Sequence, residues 1–138
     1  MAAYNKIYGF VQDLCQKVHN LNADVLTIAL TTMANKPAAA TATPLSNITQ
    51  ISYTNLSARV PTNSGCTQTS GTAKLVLQDL VLTASGAVAA FGAIVLYNAT
   101  AASSQMISWW EYGSDVTLAN TETFTIDFDQ SGGVLTVA

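Results

Sequence analysis

Charge is the scarcest thing in this sequence. Only 9% of its 138 residues are Asp, Glu, Lys or Arg, where about 25% is usual. Five basic residues stand against eight acidic ones, a net charge of −3. The basic residues are scattered, so there is no patch to neutralise a phosphate backbone, and nucleic acid is not an expected partner. A free, concentrated monomer normally carries more charge to stay soluble. A chain whose surface is covered by neighbours does not need it.

Histidine occurs once, as His19. Ser/His/Asp and Cys/His chemistry would both have to use it, and nothing in the sequence directs a nucleophile toward it. Its place near the end of a helical pattern suggests a C-terminal group favoured by the helix dipole. The two cysteines, Cys15 and Cys66, lie far apart and lack metal-ligand spacing, so free thiols are expected. No apolar run reaches the ~18 residues needed to span a membrane. Gln12, Asp13, Gln16 and Lys17 interrupt the N-terminal apolar residues, which excludes a signal-peptide reading and leaves no expected membrane contact. Phosphate loops, zinc signatures and nucleotide fingerprints are missing, so no cofactor, metal or catalytic residue is expected. Asp127 and Asp129 alternate onto one strand face, yet their spacing is far from a calcium loop, and a solvated strand edge explains them.

What the chain does have is apolar surface in short runs, 49% of all residues. One domain spanning 1–138 is expected, long enough to bury about 68% of its unfolded surface. The central stretch is Phe91–Gly113. Period-2 alternation puts Phe91, Ala93, Val95 and Tyr97 on one face of a strand, with Ile94 and Leu96 on the other. Met106–Tyr112 repeats the pattern, with Ile107 and Trp109 on one face and Trp110 and Tyr112 on the other. Strands apolar on both faces are central, or they meet a second layer or another subunit. The adjacent tryptophans point to opposite faces. Core packing, an interface or a sugar-binding platform would each account for one of them.

Around that hairpin the pattern predicts one helix over about residues 3–20. It would pack on the sheet through Ile7, Val11, Leu14 and Val18, with Tyr4 and Tyr8 on the same stripe. Asp24–Thr32 reads as a strand with Leu26, Ile28 and Leu30 inward. Met33–Asn47, with two prolines and a run of Ala and Thr, reads as a loop with nothing to bury that could cover the domain or reach a neighbour. Ile48–Ala58 is a candidate short strand, and Arg59–Gly71 a polar loop. Thr72–Thr83 is a long strand whose apolar set changes face near Gln78–Asp79, which predicts a bulge or a crossing between sheets. Gly113–Asp115 reads as a turn. Glu122–Asp129 is a strand with Phe124, Ile126 and Phe128 inward, and Val134–Val137 closes the chain. Short strands with Gly, Ser and Asn turns predict a mainly β fold, an antiparallel jelly-roll-like β-sandwich with one N-terminal α-helix.

Several stretches carry a likeness: FVQDLCQKVHNLNADVLTIALTT, LVLQDLVLTAS, FGAIVLYNAT, and the C-terminal ISWWEYGSDVTLANTETFTIDFDQSGGVLTVA. Together they span most of the chain. In them the sequence resembles a family of small virion structural proteins of tailed bacteriophages. The resemblance implies a non-enzymatic head or tail component of the virion, assembled in the host cytoplasm. A capsid cement or decoration protein is the first expectation. A tail adaptor, tube or fibre-associated subunit is the second, and a host-surface carbohydrate-binding module using Trp109 or Trp110 the third. Expected partners are copies of the chain and a shell protein such as the major capsid protein. Trp109, Trp110, Tyr112, Tyr97, Tyr4 and Tyr8 are the candidate interface residues.

Overall fold

The computed structural model describes residues 2–138. In chain order they form β1 (Asn5–Lys6), α1 (Gly9–Cys15), β2 (Leu26–Thr31), β3 (Asn63–Thr69), β4 (Thr72–Leu77), β5 (Leu80–Thr83), β6 (Val88–Asn98), β7 (Met106–Leu118), β8 (Thr123–Ile126) and β9 (Leu135–Val137). With 42% strand and 9% helix the chain is mainly β. One sheet has the order β1-β7-β6-β2, a second β3-β4-β9, and β5 pairs with β8 alone. The strand pairings are antiparallel throughout.

The β6–β7 hairpin is buried on both faces, as its double apolar pattern requires. On one side Leu26, Ile28 and Leu30 of β2, Ile94 and Leu96 of β6, and Ile107 and Trp110 of β7 meet Leu75, Leu77, Leu82, Ile126 and Leu135 from the smaller sheets. This is the main core. On the other side Ala29, Val95, Tyr97, Met106 and Trp109 form a second cluster with Ile7 and Leu45. Two faces differ from simple alternation. Ile107 joins Trp110 instead of Trp109, and Phe91 joins Ile94 and Leu96 instead of Ala93 and Val95. The β6–β7 register shifts between Leu96 and Tyr97, between Phe91 and Ala93, and between Val88 and Phe91. Each extra residue reverses the faces beyond it.

The second layer comes from the chain itself. The 33–47 segment, expected to bury nothing but able to cover the domain, does cover it, lying across the outer face of the hairpin as a strap. Leu45 and Pro37 are buried, and Ala39 and Ile48 pack on the second cluster. Backbone bonds hold the strap: Tyr8 N–H to Ala39 C=O (2.7 Å), Met106 N–H to Thr43 C=O (2.6 Å) and Leu45 N–H to Ser103 C=O (3.3 Å).

The helix is shorter than its periodicity suggests. Residues 5–6 pair with β7 as a strand, and α1 spans seven residues with no side-chain cap at its start. Phe10 is its buried residue, while Val11 is exposed and Ile7, before the helix, belongs to the second cluster. It ends in a left-handed Lys17 (φ 64°). There Val18 N–H reaches Asp13 C=O at 2.9 Å and Lys17 N–H reaches Leu14 C=O at 3.3 Å, a Schellman stop that normally uses Gly.

The expected crossing near Gln78–Asp79 is present: the chain leaves the β3-β4-β9 sheet there and enters the β5–β8 pair. Other expectations give way. The polar 59–71 segment contains β3, joined to β4 through Ser70-Gly71, both at positive φ. Gly113–Asp115 is no turn but part of β7. Asp115 Oδ1 there accepts Met33 N–H at 2.7 Å. A Cβ on the facing Gly92 would come within 2.5 Å of that oxygen, so only glycine lets the strap's start close on β7. Ile48–Ala58 forms no strand; it runs along the outer edge of β2. Ile51 N–H bonds Leu30 C=O (3.0 Å) and Ile28 N–H bonds Arg59 C=O (2.9 Å). Leu30 N–H reaches the Tyr53 hydroxyl (3.0 Å), and the Arg59 guanidinium donates to Ile28 C=O while lying 3.5 Å above the Tyr53 ring.

Candidate functional site

The separate β5–β8 pair has an open strand. β8 pairs only with β5. Its register sets Leu80 against Ile126 and Leu82 against Phe124, and Ala84 N–H donates to Glu122 C=O at 2.9 Å. The alternation of an antiparallel ladder therefore directs the backbone of Phe124 and Ile126 toward β5. Thr123, Thr125 and Asp127 direct theirs away, and no backbone partner meets them there among the described residues. Phe128 returns to the frame by donating its N–H to Asp79 Oδ1 at 3.0 Å.

This free edge borders a cleft of about 480 Å³ between β8 and the β7 side of the large sheet. Aromatic rings build it. Of these rings Phe128 (5% exposed) and Trp110 (9%) are buried, and Tyr112 (57%) and Tyr4 (38%) are open. Edge-to-face contacts join Tyr4 to Trp110 (5.8 Å), Trp110 to Phe128 (6.0 Å) and Tyr112 to Phe124 (5.5 Å). Glu111, Asp127 and Asp129 also line it, with no Lys or Arg. Lys36 lies 2.8 Å from Glu111, and its hydrogen bond, with that of the Trp109 indole, pulls the Glu111 carboxyl below the usual range. The pair is exposed, so solvent screens it. Asp129 is occupied by its own turn, accepting from Ser131 N–H (3.0 Å) and Gly132 N–H (2.7 Å). Asp127 makes no side-chain hydrogen bond among the described residues.

A second trough of about 540 Å³ continues from the first, between β1 and α1 on one side and β9 on the other. The two share Tyr4, Gly133 and Val134. Exposed Val11 and Val137 line the second as Tyr112 lines the first, so half of the large exposed apolar residues gather along one seam.

Of the candidate interface residues, Tyr4 and Tyr112 lie on this seam and Trp110 beneath it. Tyr97 and Trp109 are buried under the strap, which already covers the face they were expected to offer a partner. Tyr8 is exposed beside α1, outside both troughs. Sequence reasoning missed Val137 and the β8 edge. Only the Thr-x-Thr-x-Asp outward set, residues 123–127, signals a strand with its polar face in water.

The remaining polar cluster is internal. His19 is buried beyond the end of the helix, not at its dipole, with its ring 5.3 Å from Phe10. Its Nδ1 accepts from Asn98 Nδ2 at 3.1 Å, and the same amide donates to Asp24 Oδ2 at 2.6 Å. Burial holds the imidazole below its usual pKa, against the pull of Asp13 and Asp24. Both cysteines are free. Among the described residues no three His, Cys, Asp or Glu side chains gather as a metal site, and no helix is long and apolar enough to cross a membrane. No family model matches the chain, and no curated protein or solved structure is similar to it.

Proposed function

We propose that this protein is a non-enzymatic structural subunit of a tailed-bacteriophage virion, a cement or decoration protein that binds the head lattice by burying surface. In this reading its sheets form a jelly-roll-like β-sandwich whose open side is the binding face. The seam carries the proposal: exposed Tyr4, Val11, Tyr112 and Val137 lie together along two connected troughs, where scattered single residues would need no explanation. The low charge agrees, because a face buried in an assembly does without it. The partners are the major capsid protein and further copies of the chain.

The test is heat release of packaged DNA from particles with and without the protein. Particles lacking it should release DNA at a lower temperature, and the difference should vary little with salt, since few ion pairs are available to screen. Equal release temperatures would refute the cement reading. Failed attachment to cells with unchanged heads would favour a tail component. The carbohydrate reading has one observation of its own, the acidic aromatic cleft over Trp110, and binding on a glycan array that is lost in Trp110→Ala would favour it.

A further inference from the structure

We propose that the cleft beside β8 accepts one extended strand of another polypeptide, with apolar side chains at alternate positions and basic ones between them. The inference rests on the reading that this face is buried against another protein, and it names the chemistry of what fills it.

The main chain supports a strand. Thr123, Thr125 and Asp127 present N–H and C=O groups that no ladder uses. From Thr123 to Asp127 the free edge is about 14 Å long at ~3.4 Å per residue, enough for about five residues of an added strand. The outer edges of β2 and β5 are covered. Segment 51–59 covers β2. Ser57 N–H bonds Thr83 C=O on the far side of β5 at 3.0 Å. β3 is bulged between Asn63 and Gly65, a common guard against unwanted pairing.

The side chains set the alternation. An added strand turns every second residue toward Trp110, Phe124 and Phe128, which suits apolar groups. Its other residues face outward beside Thr123, Thr125 and Asp127. The cleft contains no cation of its own, and Lys36 already answers Glu111. Asp127 therefore favours Lys or Arg on that outward set.

The test uses the full chain and four synthetic ten-residue peptides: alternating Val and Lys, the same composition in two blocks, and two versions of the alternating peptide N-methylated at every second amide. N-methylation is placed on either alternate set in turn. The alternating peptide should bind and slow amide exchange at Thr125 and Asp127. One of the two N-methylation patterns should weaken binding at least tenfold while the other does not, because only one set of amides faces β8. Thr125→Pro removes an outward N–H without touching the β5 ladder, a change edge strands tolerate, and should also weaken binding at least tenfold. Equal binding by both methylated peptides, by the block peptide or by Thr125→Pro would overturn the proposal. So would no binding at about 1 mM, a Kd limit near −4 kcal/mol. The methylated peptides need no variant, so they decide the matter even if Thr125→Pro fails to fold. Particle heat release is scored separately. Protection of particles with no peptide binding removes the strand proposal alone; no protection removes the cement reading.

Discussion

Replacing Leu45 by Ala tests whether the 33–47 strap is structural. Leu45 is 9% exposed and packs in the cluster of Val95, Tyr97, Met106 and Trp109. The change removes three carbons, about 2.4 kcal/mol of transfer free energy at ~0.8 kcal/mol each. A cavity adds to this where the site cannot collapse. The strap is held by backbone bonds at Ala39, Thr43 and Leu45 itself, which limits collapse, so the expected cost is about 3 kcal/mol. For a chain of this length that is roughly a 9 °C fall in Tm, at about 3 °C per kcal/mol. Urea unfolding followed by tryptophan fluorescence reads it as a lower midpoint at unchanged slope. The exposed neighbour Ser46 changed to Ala should stay within about 0.5 kcal/mol. If both variants cost the same, or Leu45→Ala costs under about 1 kcal/mol, the strap is not a layer of the fold.

Two further outcomes are expected. His19 is held below its ordinary pKa by burial, so the unfolded chain binds the extra proton first as pH falls. Its contribution is fully present above about pH 6.5 and declines below it. The urea midpoint should therefore drop from pH 7 to pH 5, and His19→Gln should flatten that slope; an equal slope in the variant would assign it to other groups. Phe91, fully buried, stands edge-to-face with Phe124 at 5.2 Å. Phe91→Ala should cost about 3–5 kcal/mol, and a double-mutant cycle with Phe124→Ala should give a coupling of about 0.5–1.5 kcal/mol. Additive losses would mean that the ring contact is not formed.

The hairpin was legible because residues 91–97 and 106–110 are apolar at every position but Ser108, and only a sheet covered on both sides satisfies that. What covers it was not legible. Leu45 stands alone between Pro44 and polar residues, and its burial arises from the sheet beneath it, not from any local period. β3 was hidden for the converse reason. Its Ser, Thr and Gln side chains are largely exposed, and its pairing with β4 is made by backbone atoms common to any sequence. The helical stripe misled because Ile7 and Leu14 do face inward, but on different elements. Strand pairing claimed residues 5–6, where Asn5 meets Trp109 and Lys6 meets Ser108. In the cleft, the aromatic rings could be named from the sequence. Which of them were covered depended on register shifts, of which Gly92 and the positive-φ Gly113 facing it are the residues that hint.

The covered edge of β2 also limits growth. A protein that both offers and accepts a strand at opposite sides of one sheet can add copies without end, as amyloid does. Here Tyr53 and Arg59 occupy the donors and acceptors through which β2 would recruit another molecule. A strand added at the free edge of β8, in the separate β5–β8 pair, then finds no open β2 edge to repeat from. That removes one route by which copies of a chain with little charge could stack into fibres.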